Sequence, residues 1–197
     1  ILINKENCGG QENVLRIYEN SAGEYVWFLG DDDRVSANAI NEVIHILEKE
    51  RVDVLHFNSD AKDHPLSTKI NGKITFLELI SGNFPLRRLM FAPLFVIRRS
   101  VVVSSLPRVR LYLGCFAPQL VLMILSEPKS VYFLNRIIVN CDIVPVTRSQ
   151  RLSILPVFIG IGNIKRVTEN IVLQNAIIKL LQKEWRFYLS PSKIIGA

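Results

Sequence analysis

The chain has 197 residues, 49% of them hydrophobic and 21% charged, so it is long enough to bury a sizeable core and predicts one globular domain with a helical appendage. Its formal net charge of +6 suits phosphorylated ligands or an anionic surface, but the cations are scattered, in pairs such as Arg87-Arg88 and Arg98-Arg99. No basic tract interleaved with aromatics is present, which excludes the usual nucleic-acid patterns. Cys8, Cys115 and Cys141 are too few and too far apart for a disulfide framework or a zinc knuckle, and read as buried thiols of a reducing compartment.

In chain order, Ile1-Leu2-Ile3 reads as a short strand that begins without methionine or a signal peptide, which predicts an N-terminally truncated chain. A loop with Gly9-Gly10 leads into a helix over 11–22 with Val14, Ile17 and Tyr18 inward and Gly23 as its C-cap. The unalternated run 25–29 predicts a strand buried on both faces, of the kind found in parallel sheets. Ser36 is a good N-cap for a helix whose stripe is Ile40, Val43, Ile44 and Leu47. Residues 52–57 form the next strand, so short connections imply parallel strands with right-handed crossovers.

Further along, 60–73 reads as a polar loop, 74–80 as a short helix and 90–97 as a strand broken by Pro93. A helical connection starts at Arg98-Arg99-Ser100, 111–125 is mostly helical, and 131–139 is a strand. Residues 111–126 carry no formal charge, yet they are shorter than the roughly 20 residues of a membrane span and contain Pro118 and Gln119. The stretch 152–162 is shorter still, with Pro156 inside it. An amphipathic helix over 167–185 presents Val167, Ile171, Ile178, Leu181 and Trp185 on one face and several cations around it.

Between Gly30 and Arg34 stand Asp31, Asp32 and Asp33, just past the carboxyl end of a buried strand, where open α/β sheets place ligands. Two carboxylates about 4 Å apart repel by about 4 kcal/mol at an effective dielectric near 20, so such a cluster reads as half of a divalent-metal site. The plain alternative is a solvated acidic turn capping the next helix.

Taken together, Asn7-Cys8-Gly9-Gly10-Gln11-Glu12-Asn13, Gly23-Glu24-Tyr25-Val26-Trp27-Phe28-Leu29-Gly30-Asp31-Asp32-Asp33 and Ser36 resemble family 2 glycosyltransferases over about residues 1–60, and only loosely beyond. The resemblance implies a GT-A fold: an α/β, Rossmann-like, mostly parallel sheet flanked by helices, with a helical C-terminal segment. It divides the chain into 1–105, the donor and metal part of the domain; 106–147, its acceptor side; and 148–197, a helical extension. It further implies a nucleotide-sugar donor and a Mg²⁺ or Mn²⁺ ion bridging the diphosphate. In register with the family's usual cluster, Gly30 replaces the first aspartate and Asp32 falls on the metal ligand. Asp31 then serves ribose or metal, and Asp33 a sugar or outer contact. Asn13 matches a position near the nucleotide, or is an ordinary first-turn residue. The strand, turn and base-reading acid that open the family are expected upstream of Ile1.

An inverting transfer needs a carboxylate to deprotonate the acceptor hydroxyl. Where the family supplies an acid pair, this chain has Gln119, so the catalytic base is unassigned, with Asp60, Asp63 and Glu127 as weak candidates. His64 beside Asp63, and Arg98-Arg99 as a phosphate holder, are weaker still. The expected function is transfer of a sugar to a polysaccharide or lipid-linked acceptor in cell-envelope synthesis. The expected place is the cytoplasm, with peripheral contact at the inner membrane face, and the C-terminal helix suits that contact, core packing or a homodimer. The alternative is a non-catalytic nucleotide-sugar-binding or assembly protein of the same fold. A phosphatase with an aspartate nucleophile fits worse, because Val35 follows Arg34 with no glycine.

Overall fold

The computed structural model describes residues 4–30, 33–60, 70–81, 84–112, 118–141 and 167–188. Within them one sheet is formed by β1 (Tyr25–Trp27), β2 (Asp33–Val35), β3 (Val54–Ser59), β4 (Gly72–Ile74), β5 (Phe95–Arg98) and β6 (Val131–Cys141). Their order is β1-β5-β3-β6-β2, with β4 also paired to β6. The α/β class is as expected, with helices flanking the sheet.

The pairing is mixed and not mostly parallel. Among the described pairs only β3·β6 is parallel, and β1·β5, β3·β5, β2·β6 and β4·β6 are antiparallel. Because β1 and β3 both run against the intervening β5, the strands β1, β3 and β6 share one direction. The expected crossover from β1 to β3 therefore keeps its sense but skips one place. Residues Phe95, Val96 and Ile97 are buried, which suits the interior place β5 fills between β1 and β3. Apolar runs report burial on two faces, not the order or direction of neighbours.

β1 is shorter and less enclosed than 25–29 suggests: Val26 is buried, Tyr25 and Trp27 are half-buried, and Leu29 is 38% exposed. Helix α1 (Gly10–Asn20) follows Gly9, whose φ of 78° lies in the left-handed region glycine adopts freely. It buries Val14, Leu15 and Tyr18. Ser21, not Gly23, ends it: the Ser21 N–H donates to the Ile17 carbonyl at 3.0 Å and its hydroxyl to the Tyr18 carbonyl at 2.9 Å. Helix α2 (Ala39–Glu50) likewise starts after Asn38 and not at Ser36, and buries Ala39, Val43 and Leu47. Ile40 and Ile44 are 59% and 47% exposed, so the expected stripe is rotated about the helix axis.

Short helices α3 (Phe76–Ser81), α4 (Leu86–Met90), α5 (Arg99–Val102), α6 (Leu106–Val109) and the longer α7 (Pro118–Ser126) cover the sheet. Helix α8 (Ile171–Tyr188) lays Leu173, Ala176, Ile177, Leu180 and Leu181 into the same core, against α3 and α4. Ile171, expected inward, is exposed, and Val167 is buried ahead of the helix.

Candidate functional site

The shared direction of β1, β3 and β6 brings their carboxyl ends to one sheet edge. Asp33 opens β2 there, opposite Cys141 at the end of β6. The Gly30 N–H donates to Asp33 Oδ2 at 2.7 Å, and the Asp33 N–H donates to the Gly30 carbonyl at 3.3 Å. This reciprocal pair closes the ends of the acidic segment. Asp31 and Asp32, between them in sequence, lie outside the described residues. Asp60 follows β3 on the same edge, because Val139 of β6 pairs with Ser59 on one side and Val35 on the other. Asp63 and His64 lie outside the described residues.

Other expected residues are held by neighbours of their own. Asn13, exposed in the first turn of α1, accepts from Asn4 Nδ2 at 3.0 Å, and Asn4 Oδ1 accepts from Arg16 at 2.8 Å, a brace of the N-terminal loop. Glu127 is at the opposite edge, four positions before β6 begins, and both its oxygens are engaged: Thr168 Oγ1 donates to one at 2.8 Å and Asn170 Nδ2 to the other at 3.1 Å. The structure therefore does not bring Glu127 to the acidic segment. Arg98 and Arg99 also stand at that far edge, where β5 ends. Arg98 donates to Glu24 and to the Tyr25 hydroxyl, with its Nε 3.7 Å from Asp53, so its guanidinium is already paired within the scaffold. Burial raises the Tyr25 phenol above its ordinary pKa. Gln119 is buried and donates to the Met90 carbonyl.

Beneath the acidic edge lies a buried polar layer. Arg88 is fully buried, with its guanidinium 5.7 and 5.8 Å from the ring centres of Phe84 and Phe133. Its Nη2 donates to the Phe57 carbonyl at 3.2 Å and to Asn58 Oδ1. Burial pushes its pKa down to about 10, which leaves it charged at neutral pH. Asn58 Nδ2 in turn donates to Asn135 Oδ1 at 2.6 Å. His56 lies stacked on Phe95 with centroids 4.3 Å apart, and its Nδ1 lies 3.0 Å from the Leu94 carbonyl, an acceptor that fixes the ring proton on Nδ1.

This layer meets an irregularity in β6. Pairing with β3 runs in step from Val54↔Val131 to Phe57↔Leu134, then jumps to Asn58↔Ile137 and Ser59↔Val139. Asn135, Arg136 and Ile138 are thus extra residues on β6, a bulge of the type that re-aims a strand next to a site. Ser36, just past β2, uses that bulge: its N–H donates to the Ile138 carbonyl at 2.9 Å and its hydroxyl to the Ile137 carbonyl at 3.4 Å. Sequence reasoning missed Arg88, Asn58 and Asn135. The polar Asn58-Ser59 pair closing an apolar strand was the available signal, and Arg88 within a five-residue helix carries no periodic mark.

Mg²⁺ and Mn²⁺ take oxygen ligands and keep several waters, so one or two carboxylates and a diphosphate suffice to bind them. The carboxylates of Asp31 and Asp32 fit that chemistry. Among the described residues no group of three or more His, Cys, Asp or Glu side chains is close enough to hold a metal.

No protein-family model matches the chain, and no curated protein is similar to it in sequence. Solved structures of the glycosyltransferase TarS from S. aureus are similar in fold. TarS 1–349 superposes with a TM-score of 0.60 at 12% identity, over 96% of this chain and 55% of TarS 1–349. The same protein in complex with UDP-GlcNAc gives a TM-score of 0.57 at 12% identity, over 93% and 54% of the two chains. Its complex with UDP gives 0.53 at 12% identity, over 88% and 50%. The chain spans about half the length of these structures. Its fold is glycosyltransferase-like.

Proposed function

We propose that this chain is part of a glycosyltransferase that takes a sugar from a nucleotide-sugar donor. The observation that carries the reading is the closed Gly30–Asp33 segment at the edge where β1, β3 and β6 all end. The likeness in fold to a protein solved with UDP and with UDP-GlcNAc supports it. Asp32, with Asp31, would hold a Mg²⁺ or Mn²⁺ ion, which supplies charge neutralisation for the departing diphosphate. Asp33 keeps the ends of that segment together through the Gly30 N–H. Asn13 is proposed to lie near the nucleotide. Asp60, on this edge beside the end of β3, would take the acceptor's proton. A saccharide or lipid-linked acceptor, met at the inner membrane face by a chain whose described helices are none of them long and apolar enough to cross a membrane, completes the proposal.

A second reading, a nucleotide-sugar-binding module without turnover, is favoured by Gln119 and Glu127, which are bound into the scaffold where an acid was sought. One assay separates the two. The full-length protein is incubated with UDP-, GDP-, CDP- and dTDP-sugars and Mn²⁺, and nucleoside diphosphate release is followed. Release that falls by about a thousandfold in Asp32→Ala supports the transferase, because the metal contributes several kcal/mol. Metal-dependent binding with no release from any donor or acceptor supports the binding module. Neither binding nor release sinks both.

A further inference from the structure

We infer that Arg88 is a positioning residue for the acidic segment, acting through Asn58 and the bulge of β6 to seat β2 at the sheet edge. The links are hydrogen bonds joined by the backbone of β6. Arg88 Nη2 holds the Phe57 carbonyl and Asn58 Oδ1, at the point where β3 and β6 fall out of step. Asn58 holds Asn135, the first extra residue of β6, and the Asn135 N–H donates to Asn71 Oδ1 at 3.0 Å. Past the extra residues, the Ile137 and Ile138 carbonyls receive Ser36, and Val139 to Cys141 pair with β2.

The chemistry suits a rigid strut. A planar guanidinium packed beside two aromatic rings offers donors in a fixed geometry. A buried charge-assisted bond also costs several times more to break than an exposed one. Without the extra residues, β6 would continue in step beside β3, and Val139, on which β2 pairs, would not be level with Ser59 at the end of β3. The acidic segment runs directly into β2, so its ends are set by where β2 is seated. Only the consequence for donor binding rests on the nucleotide-sugar reading.

Amide hydrogen exchange on the full-length protein tests the path, with Arg88→Met removing the donor at similar length. Exchange at residues 33–36 is expected to accelerate about tenfold or more relative to β1 and β5, the loss expected for a charged hydrogen bond. Asn58→Ala, which leaves Arg88 beside Phe84 and Phe133, gives the same local pattern and serves if Arg88→Met does not fold. Adding Asn58→Ala to Arg88→Met produces no further acceleration. Acceleration spread evenly over the sheet, or none at 33–36, overturns the inference. A manganese titration supplies the functional arm, using whichever of UDP, GDP, CDP and dTDP the unaltered protein binds. Half-saturation moves to several-fold higher metal in both variants, whereas a merely stabilising role leaves it in place. If no nucleotide binds, the proposed function fails, and the exchange pattern still decides the role of Arg88.

Discussion

Arg98 illustrates how much of a side chain's effect depends on the exposure of its partners. It reaches Glu24, the Tyr25 hydroxyl and the Val52 carbonyl, with its guanidinium carbon 4.7 Å from the Tyr25 ring centre. Glu24 is 70% exposed, so that ion pair contributes little. Asp53 is mostly buried and accepts the Lys129 and Ser130 N–H groups at 2.9 and 3.2 Å. Arg98→Met is therefore expected to cost about 2 kcal/mol, and Glu24→Gln under about 0.5 kcal/mol, in urea unfolding. Equal losses would refute this ranking. The same residue shows a limit of sequence reading. Gly23-Glu24-Tyr25 was legible as a family-like phrase, but its local physical reason, a partner 73 positions away from Tyr25, leaves no periodic trace. Asp33 was legible as part of a ligand-edge cluster, whereas its bond to the Gly30 N–H was not.

β6 is the element on which the sheet depends. It pairs with β3, β4 and β2 over the span Val131–Cys141, and its approximate extent was legible because most of its residues are apolar. Its bulge was not legible, since extra residues on one strand are defined only against the partner strand. The exposed Ile40 and Ile44 on α2 failed for a related reason: apolar spacing marks a stripe, but neighbours decide which edge of it faces in. Glu127 is a second joint that only the structure reveals. It has a φ of 41°, ends α7 through its N–H to the Met123 carbonyl at 2.9 Å, and holds Thr168 and Asn170 ahead of α8. Asn170 in turn caps α8 through the Val172 and Leu173 N–H groups, both at 3.2 Å. Glu127→Ala loses two charge-assisted bonds and keeps the strained backbone, so it is expected to cost about 2 kcal/mol. Glu127→Gly loses the same bonds but accepts a positive φ, and is expected to be about 1 kcal/mol milder. Limited proteolysis at α8 checks the order, and a Gly variant cleaved faster than the Ala variant would contradict it.

Across the whole molecule, α1 is fastened to the region after α6 by one cation. Glu12 and Glu19 are seven residues apart on α1, and so on one face. Arg110 Nη2 lies 2.9 Å from an oxygen of each, and its Nη1 is 2.6 Å from Glu19. Hydrogen bonding to Arg110 holds both carboxyls below the ordinary glutamate value of 4.5. A depressed folded pKa means that the unfolded chain binds more protons in this range, so stability rises with pH there. The stabilisation is complete above the ordinary value and disappears as pH falls through the lower folded values. Arg110 and Glu19 are about one third exposed, which solvent screening limits, so Arg110→Gln is expected to cost only about 1 kcal/mol at neutral pH. Urea midpoints of the two proteins should therefore differ at pH 7 and about equally at pH 5, then converge as both glutamates protonate. A gap that persists unchanged in strong acid would mean that Arg110 acts through packing of its stem and not through its charge.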